Sequence, residues 1–394
     1  MASDTLNLRK QIIFAALETG GYGVDAVPTS AGSILCGDIK VDPLEGESTQ
    51  RNNIRSYMGS QGSTRVSNYS KIAFAVEWAG AGTAGTAPKM ANLLKMCNMT
   101  EQLLAAAVTG TAQAGGSTTT IKLAAAASAV DGYYVGMPLR ITAGAGNNYI
   151  GRITAYNGTT KIATVTGTFS SAPDVTSSYS IDANAIYLPN SNSALAANTS
   201  GTLYFYLDGV RHILLGARGT FKVSLKANGI SMISFEFQGL LGTIADIALP
   251  TADFTGWQTP VAVGTTITSD VNLFTLRNPV FAEISIDHGN EVKYKNPVNE
   301  QAIHILDRNT TMNIVTRAQK IATMDWYTQI RNNNTGIFAL RHGTVAGNTV
   351  GLFAPAVDPK TITFAEDDKI ANHNIAFDVT PTGAGNNEIM YIFE

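Results

Sequence analysis

Residues 201–240 read GTLYFYLDGV RHILLGARGT FKVSLKANGI SMISFEFQGL, and this stretch decides the fold prediction. Asp208-Gly209 and Asn228-Gly229 are turn dipeptides that tolerate the positive φ of tight hairpins. Between and beyond the turns, apolar and polar residues alternate: Phe221, Val223, Leu225, Ile233, Phe235 and Phe237 against Lys222, Ser224, Lys226, Ser234, Glu236 and Gln238. A period of two predicts antiparallel strands with one buried face and one solvent face.

The composition fits a mainly β protein of more than one domain. The chain has 394 residues, of which 44% are hydrophobic and only 14% charged, below the usual quarter. Its net charge is −3, from 27 basic and 30 acidic residues without long runs of either sign. Because phosphate binding needs clustered Lys and Arg, the sequence argues against a protein that grips nucleic acid.

The remaining bulk features predict a soluble protein that stays where it is made. Cys36 and Cys97 follow no metal-ligand spacing and form no disulfide framework. The polar N-terminus does not resemble a secretory signal, and no apolar run reaches the roughly 20 residues that a membrane span needs.

Along the chain, changes in composition suggest five segments. They are an N-terminal arm (1–34), a first β domain (35–106 and 183–250), an inserted small β module rich in Thr, Ser, Ala and Gly (107–182), a linker (251–277) and a second β domain (278–394). The arm's apolar run, 11–17, packs either on its own domain or on a neighbouring subunit. We expect the inserted module to project outward.

The first domain is predicted to combine strands with one packing helix. Leu35 to Asp42 reads as a strand stopped by Pro43, and Lys71 to Trp78 as a strand with alternating faces. A helix is expected from Pro88 to Asn98, with one apolar stripe. The glycines of 80–85 formally match a dinucleotide fingerprint, but the two-faced strand before them and the late helix start favour a plain loop.

The second domain is predicted to repeat this order without the insertion. A hairpin is expected in Phe281 to Tyr294 around His288-Gly289-Asn290, then a strand within Ala302 to Thr316 and a helix at Lys320 to Arg331. Further strands are expected at 336–340, 350–354, 361–364 and 373–379. The recurrence of strands, helix and strands indicates a duplication.

A long polar loop, Leu44 to Ser67, separates the first two strands. It carries five charged residues: Glu45, Glu47, Arg51, Arg55 and Arg65. Loops of this length are usually functional or disordered, so it is either a solvated excursion or a contact loop of mixed charge.

No pattern predicts catalysis. The five histidines are isolated, with no HxxxH spacing and no neighbouring nucleophile, and the common nucleotide, hydrolase and metalloprotease motifs do not occur. We therefore predict no enzyme activity, no catalytic residue, no metal site and no cofactor.

Four segments carry a resemblance to a known family: Leu8-Arg9-Lys10-Gln11, the stretch from Cys36 to Glu47, the loop and helix from Ala79 to Leu94, and above all Tyr206 to His212 with Leu214 to Gly219. Together they resemble the major tail tube proteins of long-tailed (siphophage-type) bacteriophages. The likeness covers most of the first half outside the insertion and is weak beyond Asn278. The inserted module resembles small β domains that decorate phage tails.

This resemblance implies a β-sandwich tube domain with a packing helix, whose sheets join those of neighbours into a ring-shaped barrel. Stacked rings form the virion's tail, assembled in the host's cytoplasm, and DNA passes through the channel without specific binding. The implied partners are other copies of the chain, the tape measure protein and the tail terminator and tip proteins; no membrane is involved. Two tube domains per chain imply a homotrimer ring with pseudo-sixfold symmetry, and a single one a homohexamer.

Simple geometry is consistent with a DNA channel. A barrel of about 24 strands at ~4.8 Å spacing and ~45° tilt has a backbone diameter of about 50 Å. A transit channel should bind DNA weakly, which a wall of mixed charge achieves better than a basic groove. Alternation makes seven residues candidates for the lumen face: Lys40, Asp42, Lys71, Glu77, Lys222, Lys226 and Glu236. The 44–67 loop is the candidate contact between successive rings.

The alternative function is a phage decoration protein or a receptor- or glycan-binding β protein that uses the inserted module.

Overall fold

The computed structural model describes residues 5–192, 194–195, 199–383 and 385–394. The fold is mainly β, and its largest sheet curls into a half-barrel. The elements of the first part are β1 (Gln11–Leu17), a 3-10 turn (Ser30–Gly32), β2 (Ser33–Ile34), β3 (Cys36–Glu45), β4 (Ser48–Gln50), β5 (Ser63–Arg65), β6 (Tyr69–Glu77), α1 (Ala91–Met96), β7 (Met99–Leu104), β8 (Val108–Thr111), β9 (Thr120–Lys122), β10 (Pro138–Ala143), β11 (Ile150–Asn157), β12 (Ile162–Val165), β13 (Ser178–Ile181), β14 (Asn184–Pro189), β15 (Gly201–Leu207), β16 (Val210–Lys226) and β17 (Met232–Leu241).

The remaining elements belong to the largest sheet, except for the separate pair β22–β23 and the helix α2. They are β18 (Ala245–Asp246), β19 (Thr268–Leu273), β20 (Leu276–Arg277), β21 (Phe281–Asp287), β22 (Asn290–Lys295), β23 (Ala302–Arg308), β24 (Thr311–Arg317), α2 (Trp326–Arg331), β25 (Gly336–His342), β26 (Val350–Asp367), β27 (Ile370–Val379) and β28 (Met390–Phe393).

The two hairpins predicted from residues 201–240 are confirmed. β15 pairs with β16 around Asp208-Gly209, where φ is 39° and 105°, and β16 pairs with β17 around Asn228, where φ is 62°. Turns that need positive φ select these residue types, and the alternation fixes which face is buried.

Eight antiparallel strands form a continuous surface that we call the wall. Its order is β3-β6-β17-β16-β21-β24-β27-β26. One face of each wall strand packs on the main hydrophobic core, and the other face is polar.

A second layer covers the core side of the wall. The long strands β16 and β26 pass from one layer to the other, and their first halves pair outside the wall. The first half of β16 pairs with β15, which continues to β1 and β2. The first half of β26 lies between β25 and β28, and β28 continues to β14 and β7. The arm's apolar run is therefore β1, a strand within this chain's own sheet.

The two halves of the chain repeat one sequence of pairings. In the first half β1 pairs with β2 and β15, β3 with β6, β6 with β17, and β16 with β15 and β17. In the second half β19 pairs with β20 and β25, β21 with β24, β24 with β27, and β26 with β25 and β27. Each half also has a small hairpin between its first two wall strands and a six-residue helix after the second.

Residues 108–181 form a separate six-stranded sheet in the order β8-β13-β10-β11-β12-β9. Its apolar core is not self-contained, because it includes Ala339, Phe353 and Ile392 from the second half. Arg152 lies in this sheet and makes a buried ion pair of 2.7 Å with Glu394. The segment that was expected to project outward thus shares its core with the second layer.

Several local predictions need correction. The segment around His288-Gly289-Asn290 is not a hairpin turn, because both edges of β21 are already taken by β16 and β24; β22 pairs with β23 instead. The expected linker contains β19, which its polar sequence did not reveal. The 44–67 loop contains the short pair β4–β5. β3 runs through Pro43 to Glu45, since proline is tolerated on a strand whose outer edge is unpaired.

Candidate assembly interface

One end of the wall is the free edge of β3. Within the described part of the chain, β3 pairs only with β6, so the backbone groups of its other edge are available. Ile39 and Val41 are only half-buried, although they pack against the main core. A row of unpaired backbone groups is a template for another strand.

The other end of the wall is the outer half of β26. Residues 360–367 pair with β27 on one side, and the described residues provide no partner on the other. Phe364 is 71% exposed, and its ring lies 5.2 Å from that of His373 between centroids. An unpaired strand edge that carries a large exposed apolar side chain is a candidate site for pairing with another strand.

The middle of the wall shows what such an edge looks like when it is covered. Here β16, from the first half, pairs with β21, from the second. Val223 and Ile286 form one of these pairs and are 0% and 1% exposed. On the opposite face of the same junction, Lys222 and Asp287 form an ion pair of 2.8 Å.

The seven candidate lumen residues all lie on the solvent face of the wall. Their neighbours there are largely polar: Lys71 pairs with Asp42 and Gln238, and Glu236 with Thr220. Acidic and basic side chains are interspersed on this face, as in the ion pairs of Lys222 with Asp287 and of Lys360 with Asp358 and Asp378. The described part of this face therefore carries mixed charge.

The charged loop (residues 44–67) extends from one end of the wall, and we call it the loop arm to distinguish it from the N-terminal arm. Its base is held by Arg65, which donates to the backbone oxygens of Ser67 and Leu44 at 3.2 Å each. Beyond the β4–β5 pair, Ile54 and Met58 are fully exposed, at 103% and 99%. The charged residues sit at three levels: Glu45 and Glu47 near the base, Arg65 in β5, and Arg51 and Arg55 toward the tip.

The corresponding hairpin of the second half, β22–β23, is packed down instead. The backbone N–H of Ile303 donates to the Tyr22 hydroxyl at 2.6 Å, and Tyr294 stacks on Tyr69 with ring centroids 4.9 Å apart. The two hairpins occupy equivalent places in the repeat. The strands of the second pack against the rest of the chain, although its turn is exposed, with Val298 at 91%.

His288 and Glu394 are buried titratable residues with partners inside the fold. Burial lowers the pKa of His288 to about 3, with the Arg308 guanidinium adding to the effect, and the ring stacks on Phe221. Burial disfavours ionisation of Glu394, but Arg152 and Arg341 outweigh it and hold its pKa below the usual value. Among the described residues, no three His, Cys, Asp or Glu side chains are grouped as a metal site requires. The same part of the chain contains no helix long and apolar enough to cross a membrane.

Sequence reasoning missed Phe364, the most exposed aromatic residue of the free edges. The alternation of Ile362 and Phe364 in the predicted strand 361–364 was available as a signal. Periodicity shows that two residues share a face, but it does not show that the strand lacks a neighbour.

No protein-family model matches the chain, and no curated protein matches it in sequence. The features that bear on function are the free edges, the solvent face of the wall and the 44–67 loop.

Proposed function

We propose that this protein is a structural subunit that polymerises by joining its sheet to the sheets of other copies. The observation that carries the proposal is the pair of free edges, β3 and the outer half of β26, at opposite ends of a wall made of repeated pairings. Exposed edges of this kind invite aggregation unless they are paired, and ring closure pairs all of them.

The tail tube of a long-tailed bacteriophage is the assembly that these features fit best. The resemblance in the first half of the sequence points to it, and a curled wall of eight strands is a suitable segment of a wide barrel. We infer from the repeated pairings that the chain holds two tube domains. Three chains would then supply six equivalent domains around the channel.

In this role the solvent face of the wall lines the channel. Its mixed charge avoids strong attraction to phosphate groups, which would hold DNA in place during ejection. The tape measure protein would occupy the same channel before ejection, and the terminator and tip proteins would bind the ends of the tube.

The loop arm bridges successive rings in this proposal. It projects from the wall, and its apolar tip residues, Ile54 and Met58, have nothing to cover them in a single copy. Contact with the next ring would bury them.

Negative-stain electron microscopy of the purified protein tests the proposal. We expect rings with a central channel and stacks of rings at higher protein concentration. A protein that stays monomeric by analytical ultracentrifugation over the same concentration range, while remaining folded, would contradict it.

A further inference from the structure

Within one chain, the two halves meet through the pairing of β16 with β21, which we call the junction. The free edges of β3 and β26 have no such partner among the described residues. In the junction, the long strand of one half (β16) pairs with the first wall strand of the next (β21). At the free ends, the chain presents the equivalents of these two strands: β26, the long strand of the second half, and β3, the first wall strand of the first half. Because the two halves repeat the same pairings, the register expected between β26 of one copy and β3 of the next follows from the β16–β21 junction.

The position equivalent to Val223 follows from one row of paired residues across each half. These rows are Cys36–Val76–Ile233–Val223 and Phe281–Thr316–His373–Phe364. Each row crosses the first wall strand, the second wall strand and the two strands of the long hairpin, in that order. Both rows start at the first residue of the first wall strand, pass the last residue but one of the second, and end three residues before the end of the long strand. Phe364 therefore stands in the second half where Val223 stands in the first.

The position equivalent to Ile286 follows from a second pair of rows. These rows are Val41–Ile72–Phe237 and Ile286–Met312–Phe377. Val41 on the free edge therefore corresponds to Ile286 in the junction.

We propose that β26 of one copy pairs antiparallel with β3 of the next, with Phe364 opposite Val41 and Thr363 opposite Asp42. This register is the one that places Val223 opposite Ile286 and Lys222 opposite Asp287 within the chain. The inference deepens the proposed function and rests on it, since it names the edges and the residue pairs through which copies join.

Burial supports this pairing. Val223 and Ile286 are almost completely buried in the junction, whereas Phe364 is 71% exposed and Val41 is only partly buried. A neighbouring strand in this register would cover both and provide the missing backbone partners. The pairing is best defined at residues 40–42, because the register of β3 is irregular on both sides of them.

The two edges differ, so the contact is heterologous: the β26 edge of each copy meets the β3 edge of the next. A repeated heterologous contact produces either a closed ring or an open helix. Because the same kind of step already relates the two halves of one chain, each added copy extends the wall in the direction in which it curls.

Disulfide trapping tests the register in the full chain. In a Cys36→Ser background, Asp42→Cys/Thr363→Cys should form disulfides between chains under mild oxidation, seen as linked dimers and larger species on a non-reducing gel. Asp42→Cys/Thr361→Cys, which is two residues out of register on the same face, should link much less, since diagonal neighbours lie roughly 7–8 Å apart.

Matched controls come from the junction. Lys222→Cys/Asp287→Cys occupies the equivalent pair and should form a disulfide within one chain. Adjacent pairs of an antiparallel ladder alternate between hydrogen-bonded and non-hydrogen-bonded types, which differ in spacing. Val41→Cys/Phe364→Cys is therefore made as well, and linkage between chains in either in-register variant supports the proposal.

The outcomes separate the register from the function. Rings seen by electron microscopy without in-register linkage, or with stronger linkage in the out-of-register variant, overturn the register and leave the proposed function standing. Absence of both rings and linkage between chains, while the junction control oxidises, overturns both.

Discussion

The junction between β16 and β21 and the free edges of β3 and β26 are built from equivalent strands in opposite situations. In the junction, Val223 is completely buried, and Lys222 has an acidic partner across the strand pair. At the edge, the equivalent Phe364 is largely exposed, and Thr363 takes the place of the lysine. This difference in exposure does not come from the local fold, because β16 pairs with β17 on its other side just as β26 pairs with β27.

In the proposed assembly, what differs is whether the neighbouring domain belongs to the same chain. Covalent connection supplies the neighbour of β16, whereas we propose that a second copy supplies the neighbour of β26. The β16–β21 contact would then form during folding and the β26–β3 contact during assembly. Substitutions at equivalent positions should affect different processes.

The largest expected effect comes from placing a charge at each of these two contacts. Val223→Asp should destabilise the fold by about 3–5 kcal/mol, because it buries an unpaired carboxylate. Phe364→Asp should change the stability of the unassembled chain by no more than about 0.5 kcal/mol, since the site is exposed, but should abolish ring formation. Urea unfolding measures the first effect and electron microscopy the second. Val130→Asp, at an exposed position within residues 108–181 and outside the wall strands, is the control that should affect neither.

The next effect concerns the two hairpins rather than these contacts. Ile54→Ser/Met58→Ser should leave rings intact and shorten tubes by about ten-fold or more, because each side chain loses roughly 1.5–3 kcal/mol of burial between rings. Val298→Ser, on the packed-down hairpin, should shorten tubes less, although Val298 is 91% exposed. Tube lengths measured on micrographs decide the point, and equal shortening by both variants would refute the special role of the loop arm.

Much of the fold could be predicted because alternation and turn chemistry are local. The strands around Asp208-Gly209 and Asn228-Gly229 and the strand at 71–78 follow from period-two patterns with suitable turns. The partner of β21 could not be predicted, since it depends on which edges other strands have already occupied. β19 escaped for a related reason: only Val271 and Leu273 of its six residues are apolar, and its pairing with β25 is a long-range contact.

The candidate interface was predictable only in part. The seven charged residues share a solvent face, as alternation indicated, because register carries a local pattern across a whole sheet. The free edges were not predictable, since an edge is defined by a missing neighbour, and this information is absent from any single strand. The packing of the inserted segment could not be predicted either, because its contacts with Phe353 and Ile392 join residues far apart in the sequence.

A smaller effect, graded with pH, is expected on the free energy of unfolding, because the buried His288 lies next to the junction. His288 follows β21, stacks on Phe221 and has a pKa of about 3, and neither ring nitrogen has a hydrogen-bond partner among the described residues. The unfolded chain binds this proton below about pH 6.5 and the folded chain only near pH 3. Stability is therefore fully present above pH 6.5 and falls with pH below it, by up to about 1.4 kcal/mol per unit for this group. His288→Phe should remove this contribution, so parallel stability profiles for the variant and the wild type between pH 6 and pH 4 would contradict it.

The smallest effect is expected from a substitution that makes the proposed contact between β26 and β3 of two copies more like the β16–β21 junction. Thr363→Lys places a lysine where the junction has Lys222, and Asp42 of the next copy would take the role of Asp287. Exposed ion pairs contribute roughly 0–1 kcal/mol, so the concentration needed for ring formation should fall by no more than about five-fold, and the gain should disappear at high salt. Sedimentation velocity over a concentration series measures the change. Adding Asp42→Asn should cancel the gain if these two residues face each other; if the gain persists, it comes from a general change in charge, and the equivalence of the two contacts fails at this pair.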